Sequence, residues 1–201
     1  MSDSDKARWD ERYRTGAYAA RSHPSAVLTE WLPQLELRQA VRTALDVACG
    51  IGRNALYLAS RGWQVHAVDI SEVALARLGE RADEKNLPIT RFQADLEALG
   101  RRADRFLTAA QYDLVLMIRY TNLPLLDVLQ SVLRKGGYLI VEEHLLTDEA
   151  VAGPKNPDFR VAPGALKAAA AGLEVVAYRE GLIDDPDGRP VALAQLIARR
   201  R

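Results

Sequence analysis

Short apolar runs alternate with segments of helical spacing through the middle of the chain. Such runs are typical of strands that are buried on both faces. The predicted strands cover residues 44–49, 64–68, 89–93, 112–118 and 137–142. Helices are predicted between residues 52 and 62, at residues 71–85 and at residues 124–133, with a short helical connection before the fourth strand. Strands that alternate with helices indicate an α/β protein with a parallel sheet covered on both faces.

Two helices are predicted before the first strand. Residues 2–14 are mostly polar, and Trp9 and Tyr13 share one helix face because they are four positions apart. A second helix is expected to begin at Pro24, with Ser22 as its cap, and to end near Pro33.

The alternation of strands and helices ends near residue 145. Residues 145–162 are rich in Pro and Gly and are predicted to form a long loop, which a helix at residues 163–171 follows. Two strands are then predicted, at residues 173–178 and 190–198. The link between them is too short for a crossover helix, so the two strands must be antiparallel.

Composition narrows the class of protein. The chain has 201 residues, which fits one domain, and its 27 basic and 27 acidic residues cancel, so a nucleic-acid partner is not expected. The one cysteine, Cys49, excludes an internal disulfide and a cysteine-built metal cluster, and three scattered histidines do not suggest a metal site. The charged N-terminus and the lack of a run of roughly 20 apolar residues predict a cytoplasmic protein without a membrane partner.

A Gly-x-Gly turn directly after the first predicted strand is the most informative motif. Gly50 and Gly52 let the backbone pass close to a ligand, which the N-terminus of the next helix faces. The spacing to Ala55 also fits the dinucleotide-binding fingerprint, and Asp69 ends the second strand, where an acid binds a ribose. These residues predict a site for a cofactor that contains a nucleoside.

Two further acids argue against a nicotinamide cofactor. Asp46 lies inside the first strand, where its charge disfavours a pyrophosphate and suits a cofactor that presents a cation. Asp95 follows the third strand, where a carboxylate can hold an adenine amino group. The chain also lacks a Tyr-x-x-x-Lys pair for proton transfer in a hydride enzyme.

Together these features resemble class I S-adenosylmethionine-dependent methyltransferases, and the resemblance covers nearly the whole chain. It rests on Asp46-x-x-x-Gly50-x-Gly52, Asp69, the stretch from Gln93 to Leu96 and the terminal antiparallel strands. The resemblance implies a Rossmann-like three-layer sandwich with a seven-stranded sheet of order 3-2-1-4-5-7-6, in which only strand seven is antiparallel. Residues 50–59 are most similar to the tellurite-resistance-type branch, which methylates small, polarisable or thiol-like acceptors.

The resemblance implies S-adenosylmethionine as the cofactor and assigns roles around the turn. Asp69 is expected to accept hydrogen bonds from both ribose hydroxyls, and Asp46 to act near the cofactor's ammonium. Asp95 and the backbone of Leu96 are expected to bind adenine, with Ile70 against the ring. The implied cofactor-binding set is Asp46, Ala48, Gly50, Gly52, Asn54, Asp69, Ile70, Asp95 and Leu96. For a single acid such as Asp69, helix capping is the alternative.

One position departs from the family's motif. Ala48 stands where the family often has glycine.

The acceptor side is expected at the end of the fourth strand. Arg119 could hold an anionic acceptor and Tyr120 could orient it, or the two could form only a salt bridge and a packed ring. His144, at the end of the fifth strand, is a further candidate to face the acceptor. The chain lacks the Pro-Pro motif of enzymes that methylate exocyclic amines, so a small-molecule acceptor is predicted, such as a thiol or a chalcogen oxyanion.

Two other functions remain open on the sequence alone. The chain could be a non-catalytic S-adenosylmethionine-binding regulator, or less plausibly an NAD(P)-dependent enzyme. Both a monomer and a homodimer are compatible with the sequence.

Two segments are expected to cover the site. Residues 1–201 are expected to form one methyltransferase domain, with a helical extension at residues 1–38 and the Rossmann-like core at residues 39–201. The extension carries Trp9, Tyr13 and Tyr18, which suggest a lid over the methionine end of the cofactor or simple packing on the side of the domain. The loop from His144 to Arg160 could cover the acceptor, or its basic residues could only pin it.

Overall fold

The computed structural model describes residues 3–16, 18–37, 40–98, 107 and 111–201. The helices are α1 (Asp3–Arg14), α2 (Ala26–Trp31), α3 (Arg53–Ala59), α4 (Glu72–Asp83), α5 (Leu125–Val132) and α6 (Ala165–Ala169). The strands are β1 (Thr43–Val47), β2 (Gln64–Asp69), β3 (Ile89–Gln93), β4 (Tyr112–Ile118), β5 (Leu133–His144), β6 (Glu174–Asp184) and β7 (Pro190–Arg199). The predicted helical connection before β4 and the predicted boundary between residues 38 and 39 lie mostly outside the described residues.

The described strands form one sheet in the order β3-β2-β1-β4-β5-β7-β6. β1 lies between β2 and β4 and runs parallel to both. β7 lies between β5 and β6 and is antiparallel to both. The predicted α/β fold, with strand seven as the antiparallel strand, is therefore confirmed.

Alternate residues of each strand face opposite sides of the sheet, and helices cover both of these faces. On one face, Leu45 and Val47 of β1 belong to the same buried cluster as Leu129 of α5. On the other face, Ala44 of β1 belongs to a cluster with Leu58 of α3. The sheet therefore separates two apolar cores, as the near-continuous apolar strands predict.

Several elements differ in their bounds from the sequence prediction; α2, for example, begins at Ala26 with Ser25 before it, rather than at Pro24 with Ser22 as its cap. β5 begins at Leu133 rather than at residue 137, because Leu133 already pairs with Tyr112 before a bulge shifts the register. β6 continues to Asp184 rather than ending at residue 178, because it pairs with β7 along its full length. α6 begins only after Gly164, which has a φ of 79° and so cannot be part of the helix.

The carboxyl ends of β1, β2, β4 and β5 meet at one edge of the sheet, which is where open α/β folds bind ligands. At this edge α1 packs against α4, and α2 packs against β5. None of the helices in the described part of the chain is long and apolar enough to span a membrane.

Candidate active site

The chain turns sharply after β1, because three residues adopt left-handed backbone conformations. The φ angle is 53° at Ala48, 55° at Gly50 and 78° at Gly52. Glycine adopts this conformation readily, whereas an L-residue there costs roughly 1–2 kcal/mol. The predicted turn is present, and Ala48 is strained at the position where the family often has glycine.

The two glycines face different neighbours. A Cβ atom on Gly50 would lie 2.7 Å from the hydroxyl oxygen of Tyr13 in α1. A Cβ atom on Gly52 would lie 2.1 Å from Cδ1 of Leu78 in α4. Gly52 is therefore required by the packing of α3 against α4, and its contact with a cofactor stays a prediction. At Gly50, the missing side chain instead makes room for the hydroxyl of Tyr13.

Asp69 ends β2 and ties it to the turn. Its Oδ2 atom accepts a hydrogen bond from the backbone N–H of Gly50 at 2.8 Å, and its Oδ1 atom accepts one from Ser71 at 2.9 Å. The side-chain cap of α4 is Ser71, whose Oγ accepts from the N–H of Ala74 at 3.1 Å. Burial raises the pKa of Asp69, and the backbone donors oppose that rise. A carboxylate has about four acceptor positions, and the backbone N–H groups of Gly50, Ser71 and Ile70 all act on Asp69, so it keeps capacity for a further hydroxyl donor.

Asp46 is a buried carboxyl group in β1, next to the turn. Only 1% of the residue is exposed, and its Oδ2 atom has no hydrogen-bond partner among the residues that the structure describes. Burial raises the pKa of Asp46 to about 7, and the nearby positive charge of Arg53 opposes the rise. An unsatisfied buried acceptor costs roughly 1–3 kcal/mol, so a ligand that brings a cationic donor to this oxygen would be stabilised. This orphaned oxygen fits the ammonium of S-adenosylmethionine.

The predicted adenine side lies after β2 and β3. Asp95 follows β3, and its Oδ1 atom accepts a hydrogen bond from the backbone N–H of Glu97 at 3.0 Å. Leu96 is buried, and Ile70 is partly exposed directly after Asp69. The loops therefore bring these residues to the same edge as Asp69.

Asn54 faces the segment before α2. Its Oδ1 atom accepts hydrogen bonds from the backbone N–H of Ser25 at 2.9 Å and from the Ser25 hydroxyl at 3.2 Å. The polar role that the structure gives to Asn54 is therefore to join the beginnings of α2 and α3, and its contact with the cofactor stays a prediction.

α1 is attached to the edge of the sheet through Asp10, a residue that the sequence analysis did not single out. The Oδ1 atom of Asp10 accepts hydrogen bonds from the hydroxyl of Ser71 at 2.6 Å and from the N–H of Val73 at 3.3 Å. These bonds place a carboxylate at the N-terminus of α4, where the helix dipole favours negative charge. Asp10 is 8% exposed, so the attachment is largely shielded from water.

The three aromatic rings of the N-terminal segment contact one another. Trp9, Tyr13 and Tyr18 have ring centroids between 5.9 and 6.5 Å apart. Tyr13 is buried, and its hydroxyl lies in front of Gly50. Tyr13 therefore lies at the Gly-x-Gly turn, and the rings of Trp9 and Tyr18 pack against it.

Arg119, at the end of β4, is engaged in ion pairs. Its Nε atom donates to Glu142 at 2.9 Å, and its Nη1 and Nη2 atoms donate to the two carboxylate oxygens of Asp185 at 2.9 and 2.8 Å. Arg21, after α1, also pairs with Asp185 at 3.4 Å. The observed contacts of Arg119 are therefore salt bridges, which was one of the two alternatives for this residue. Its direct contact with the acceptor stays a prediction. The sequence did not single out Asp185 or Arg21 because their pairing depends on tertiary contacts.

Two polar side chains near Arg119 each have an atom that forms no hydrogen bond within the described residues. The hydroxyl of Tyr120 and the Oε1 atom of Glu143 have no hydrogen-bond partner in the part of the chain that the structure describes. The other carboxylate oxygen of Glu143 accepts from the hydroxyl of Thr121 at 3.0 Å. Burial raises the pKa of Tyr120, and it raises that of Glu143 to about 8. Both groups are therefore largely protonated at neutral pH.

The loop after β5 is fixed by its own arginine. Arg160 donates to the carbonyl oxygens of Pro154 and Leu145, each at 2.8 Å. His144 is buried where this loop begins, and burial together with neighbouring arginines lowers its pKa to about 4. A Cβ atom on Gly153 would lie 2.8 Å from the His144 ring. Arg160 thus pins the loop through carbonyl groups.

Comparison with known proteins shows which families and proteins this chain is similar to. A model of the methyltransferase domain matches residues 44–137, which include the turn, Asp69 and Asp95. A protein of Haemophilus influenzae described as a probable S-adenosyl-L-methionine-dependent methyltransferase TehB is 26% identical over 163 residues, which are 78% of this chain and 57% of that protein. Hemagglutinin 1 of Eikenella corrodens is 30% identical over 167 residues, which are 78% of this chain and 55% of that protein.

The fold has a matching solved structure. The crystal structure of TehB from Haemophilus influenzae has a TM-score of 0.71 and 24% sequence identity, and the match covers 96% of this chain and 67% of that one. The chain therefore shares the TehB fold, although it spans little more than half the length of the two sequence relatives.

The sheet order and the match of residues 44–137 are those of class I methyltransferases, an enzyme class whose methyl donor is S-adenosylmethionine. The chain is thus similar to class I methyltransferases, and among them to TehB. The resemblance predicted from the sequence is confirmed.

Proposed function

We propose that this protein transfers the methyl group of S-adenosylmethionine to a small-molecule acceptor. The observation that carries the proposal is the buried, unpartnered oxygen of Asp46 beside the turn at Gly50. A carboxylate in that position suits a ligand that combines a nucleoside with a cationic end, which a nicotinamide dinucleotide does not offer there.

The cofactor is expected to lie along the carboxyl ends of β1 to β3. In this proposal Asp69 accepts the ribose hydroxyls with the lone pairs that its backbone donors leave free. Asp95 and the backbone of Leu96 bind adenine, and Ile70 lies against the ring. Ala48, Gly50, Gly52 and Asn54 shape the turn that holds the methionine end.

When bound, the cofactor supplies a methyl group on a positively charged sulfur, which is already a good leaving group. The protein's task is therefore to orient the acceptor in line and to exclude water, and such positioning contributes roughly 7–11 kcal/mol. We propose that α1 excludes water as a lid, because Asp10 attaches it to α4 and Tyr13 lies in front of Gly50. No residue need act as a base if the acceptor arrives deprotonated.

The acceptor is proposed to bind at the ends of β4 and β5. Tyr120 offers a hydroxyl without a partner in the described residues, and Arg119, whose guanidinium is engaged by Glu142 and Asp185, fixes the end of β4 beside it. The similarity to TehB supports a small, soft nucleophile, such as a thiol or a chalcogen oxyanion. A cytoplasmic location remains part of this proposal.

The test is a label-transfer experiment. Purified protein is incubated with cell extract and methyl-labelled S-adenosylmethionine, and mass spectrometry identifies the metabolite that gains the label. A labelled small molecule that is absent with the Asp69→Ala variant would support the proposal. Binding of the cofactor with no labelled metabolite would favour the regulatory alternative, and label on protein or nucleic acid would contradict the small-molecule acceptor.

A further inference from the structure

Glu143 is a buried carboxyl group that the proposed cofactor site does not include. It is 0% exposed and lies near the end of β5. Val141, on the same face of the strand, and Ala194, opposite Glu143 in β7, both belong to an apolar core cluster. Burying a carboxyl group among uncharged side chains costs free energy unless hydrogen bonds offset it, so its contacts decide what it can do.

One oxygen atom of this carboxyl group is held, and the other is not. The Oε2 atom accepts a hydrogen bond from the hydroxyl of Thr121 at 3.0 Å, and the backbone N–H of Tyr120 also donates to the carboxyl group. The Oε1 atom has no hydrogen-bond partner among the described residues. Both donors follow β4 directly, so they fix Glu143 at the edge where the acceptor is proposed to bind.

The neighbouring acids at this edge are already engaged. Glu142 accepts hydrogen bonds with both of its oxygen atoms, from Arg119 at 2.9 Å and from Gln195 at 2.6 Å. Both carboxylate oxygens of Asp185 bind Arg119. Among these three acids, Glu143 alone keeps an oxygen atom without a partner in the described chain.

The proton affinities at this edge agree with the contacts. Burial raises the pKa of Glu143 to about 8, with a further rise from Glu142 and an opposing effect from Arg119. A free thiol has a pKa of about 8.5, so a proton can pass from a thiol to Glu143 at little cost. His144, with its pKa lowered to about 4, is too weak a base for this task. Tyr120, with its pKa raised by burial, keeps its own proton.

We propose that Glu143 is the general base that lets a protonated acceptor, such as a thiol, be methylated. This inference rests on the proposed function. As the acceptor's sulfur forms its bond to the methyl group, its S–H bond breaks and the proton passes to the Oε1 atom of ionised Glu143. The bond between the methyl group and the cofactor's sulfur breaks, and its electron pair neutralises that sulfur. The acceptor therefore need not ionise in solution.

The test compares two acceptors that arrive in different protonation states. At pH 8 the thiol of 4-nitrothiophenol is ionised, whereas most of 4-nitrobenzyl mercaptan carries its proton. Initial rates of methyl transfer from S-adenosylmethionine give kcat/KM with each thiol for the unsubstituted protein and for Glu143→Gln, which keeps the shape of the side chain. Glu149→Gln is the control, because Glu149 is an exposed carboxylate in the loop after β5. Thermal unfolding of each variant monitors the fold.

The expected result is selective. Glu143→Gln lowers kcat/KM for 4-nitrobenzyl mercaptan by roughly a hundredfold, a typical loss for a general base, and leaves that for 4-nitrothiophenol unchanged. The loss shrinks as the pH rises, because the mercaptan then ionises in solution. Glu149→Gln changes neither value.

A second variant keeps the test valid if Glu143→Gln does not fold. The Thr121 hydroxyl lowers the pKa of Glu143, so Thr121→Val raises that pKa. The rise with pH of the 4-nitrobenzyl mercaptan reaction should therefore move to higher pH in Thr121→Val.

Other results would overturn the inference. Equal losses with both thiols would mean that Glu143 only supports the fold, and an unchanged rate with 4-nitrobenzyl mercaptan would exclude it as the base. The same pH profile in Thr121→Val as in the unsubstituted protein would also contradict it. If the unsubstituted protein methylates neither thiol, the thiol acceptor of the proposed function is itself refuted, and with it the proton that Glu143 would take.

Discussion

The guanidinium of Arg119 binds both carboxylate oxygens of Asp185, at 2.9 and 2.8 Å, and so joins the end of β4 to the residue that follows β6. The side chains are 10% and 5% exposed, so water does little to weaken the pair. Arg21 reaches the same carboxylate from the N-terminal segment. Asp185 therefore connects the acceptor edge to the segment that follows the proposed lid.

Removing Asp185 should destabilise the protein strongly. The Asp185→Ala substitution leaves Arg119 buried with only Glu142 as its ionic partner, and loss of one member of a buried pair typically costs about 3–5 kcal/mol. Urea denaturation measures the free energy of unfolding. Asp187→Ala is the control, because its pairs with Arg189 and Arg21 are more exposed and should contribute far less to stability. Equal losses in both variants would contradict this role of Asp185.

The pair of Arg119 and Asp185 marks the limit of what the sequence predicts. Strand periodicity identified the parallel strands and the antiparallel pair, because burial on both faces produces apolar runs that are visible locally. The partner of Arg119 is 66 residues away, and only the packing of β4, β5 and β7 side by side brings them together. The sequence likewise predicted an aromatic N-terminal helix but not its attachment through Asp10.

Ala48→Gly should stabilise the protein. Glycine removes the cost of a left-handed alanine, roughly 1–2 kcal/mol, and returns about 0.4–1 kcal/mol through the greater freedom of the unfolded chain. The expected net gain in the free energy of unfolding is therefore about 0.5–1 kcal/mol. Ala44→Gly in β1 is the control, because it lies in a regular buried strand and should lose stability. A loss in Ala48→Gly as large as that in Ala44→Gly would contradict the strain.

The affinity for S-adenosylhomocysteine should rise with pH through the titration of Asp46. Burial raises the pKa of Asp46 from the ordinary 3.8 to about 7 in the folded protein. Protonated Asp46 therefore favours folding fully below the unfolded pKa, and this stabilisation is lost as the pH rises through about 7. Ligand ammonium favours the carboxylate, so binding below that pH must release a proton. Calorimetry should show roughly a hundredfold tighter binding at pH 8 than at pH 5.

The control for this pH dependence is Asp46→Asn, which cannot titrate. Its affinity should be weaker at pH 8 and nearly independent of pH over the same range. A pH profile in Asp46→Asn that matches the unsubstituted protein would assign the titration to another group, such as Glu143.

Detachment of α1 should weaken cofactor binding without unfolding the core. Asp10→Ala removes the hydrogen bonds to Ser71 and Val73, and so frees the helix that carries Tyr13. We expect roughly a tenfold loss of affinity for S-adenosylhomocysteine, about 1.4 kcal/mol, with native circular dichroism. Glu11→Ala is the matched control, because Glu11 is exposed and pairs only with Arg14 among the described acid–base pairs. Equal affinity in the two variants would mean that α1 is not a lid.

The cofactor residues were predictable to different degrees. Asp69 and Asp95 stand out because acids at the carboxyl ends of apolar strands are rarely explained by packing. The sequence could not predict that Gly52 is also required by the packing of α3 against α4. The side chain that lies where its Cβ atom would be belongs to Leu78, in another helix.

The most direct test of the proposed cofactor site is a titration of the protein with S-adenosylhomocysteine and, separately, with NAD. We predict saturable binding of S-adenosylhomocysteine and none of NAD. We also predict that Asp69→Ala weakens the affinity for S-adenosylhomocysteine by roughly tenfold to a hundredfold, because the ribose hydroxyls lose a charged acceptor. Binding of NAD without binding of S-adenosylhomocysteine, or an undiminished affinity in folded Asp69→Ala, would contradict the site described here.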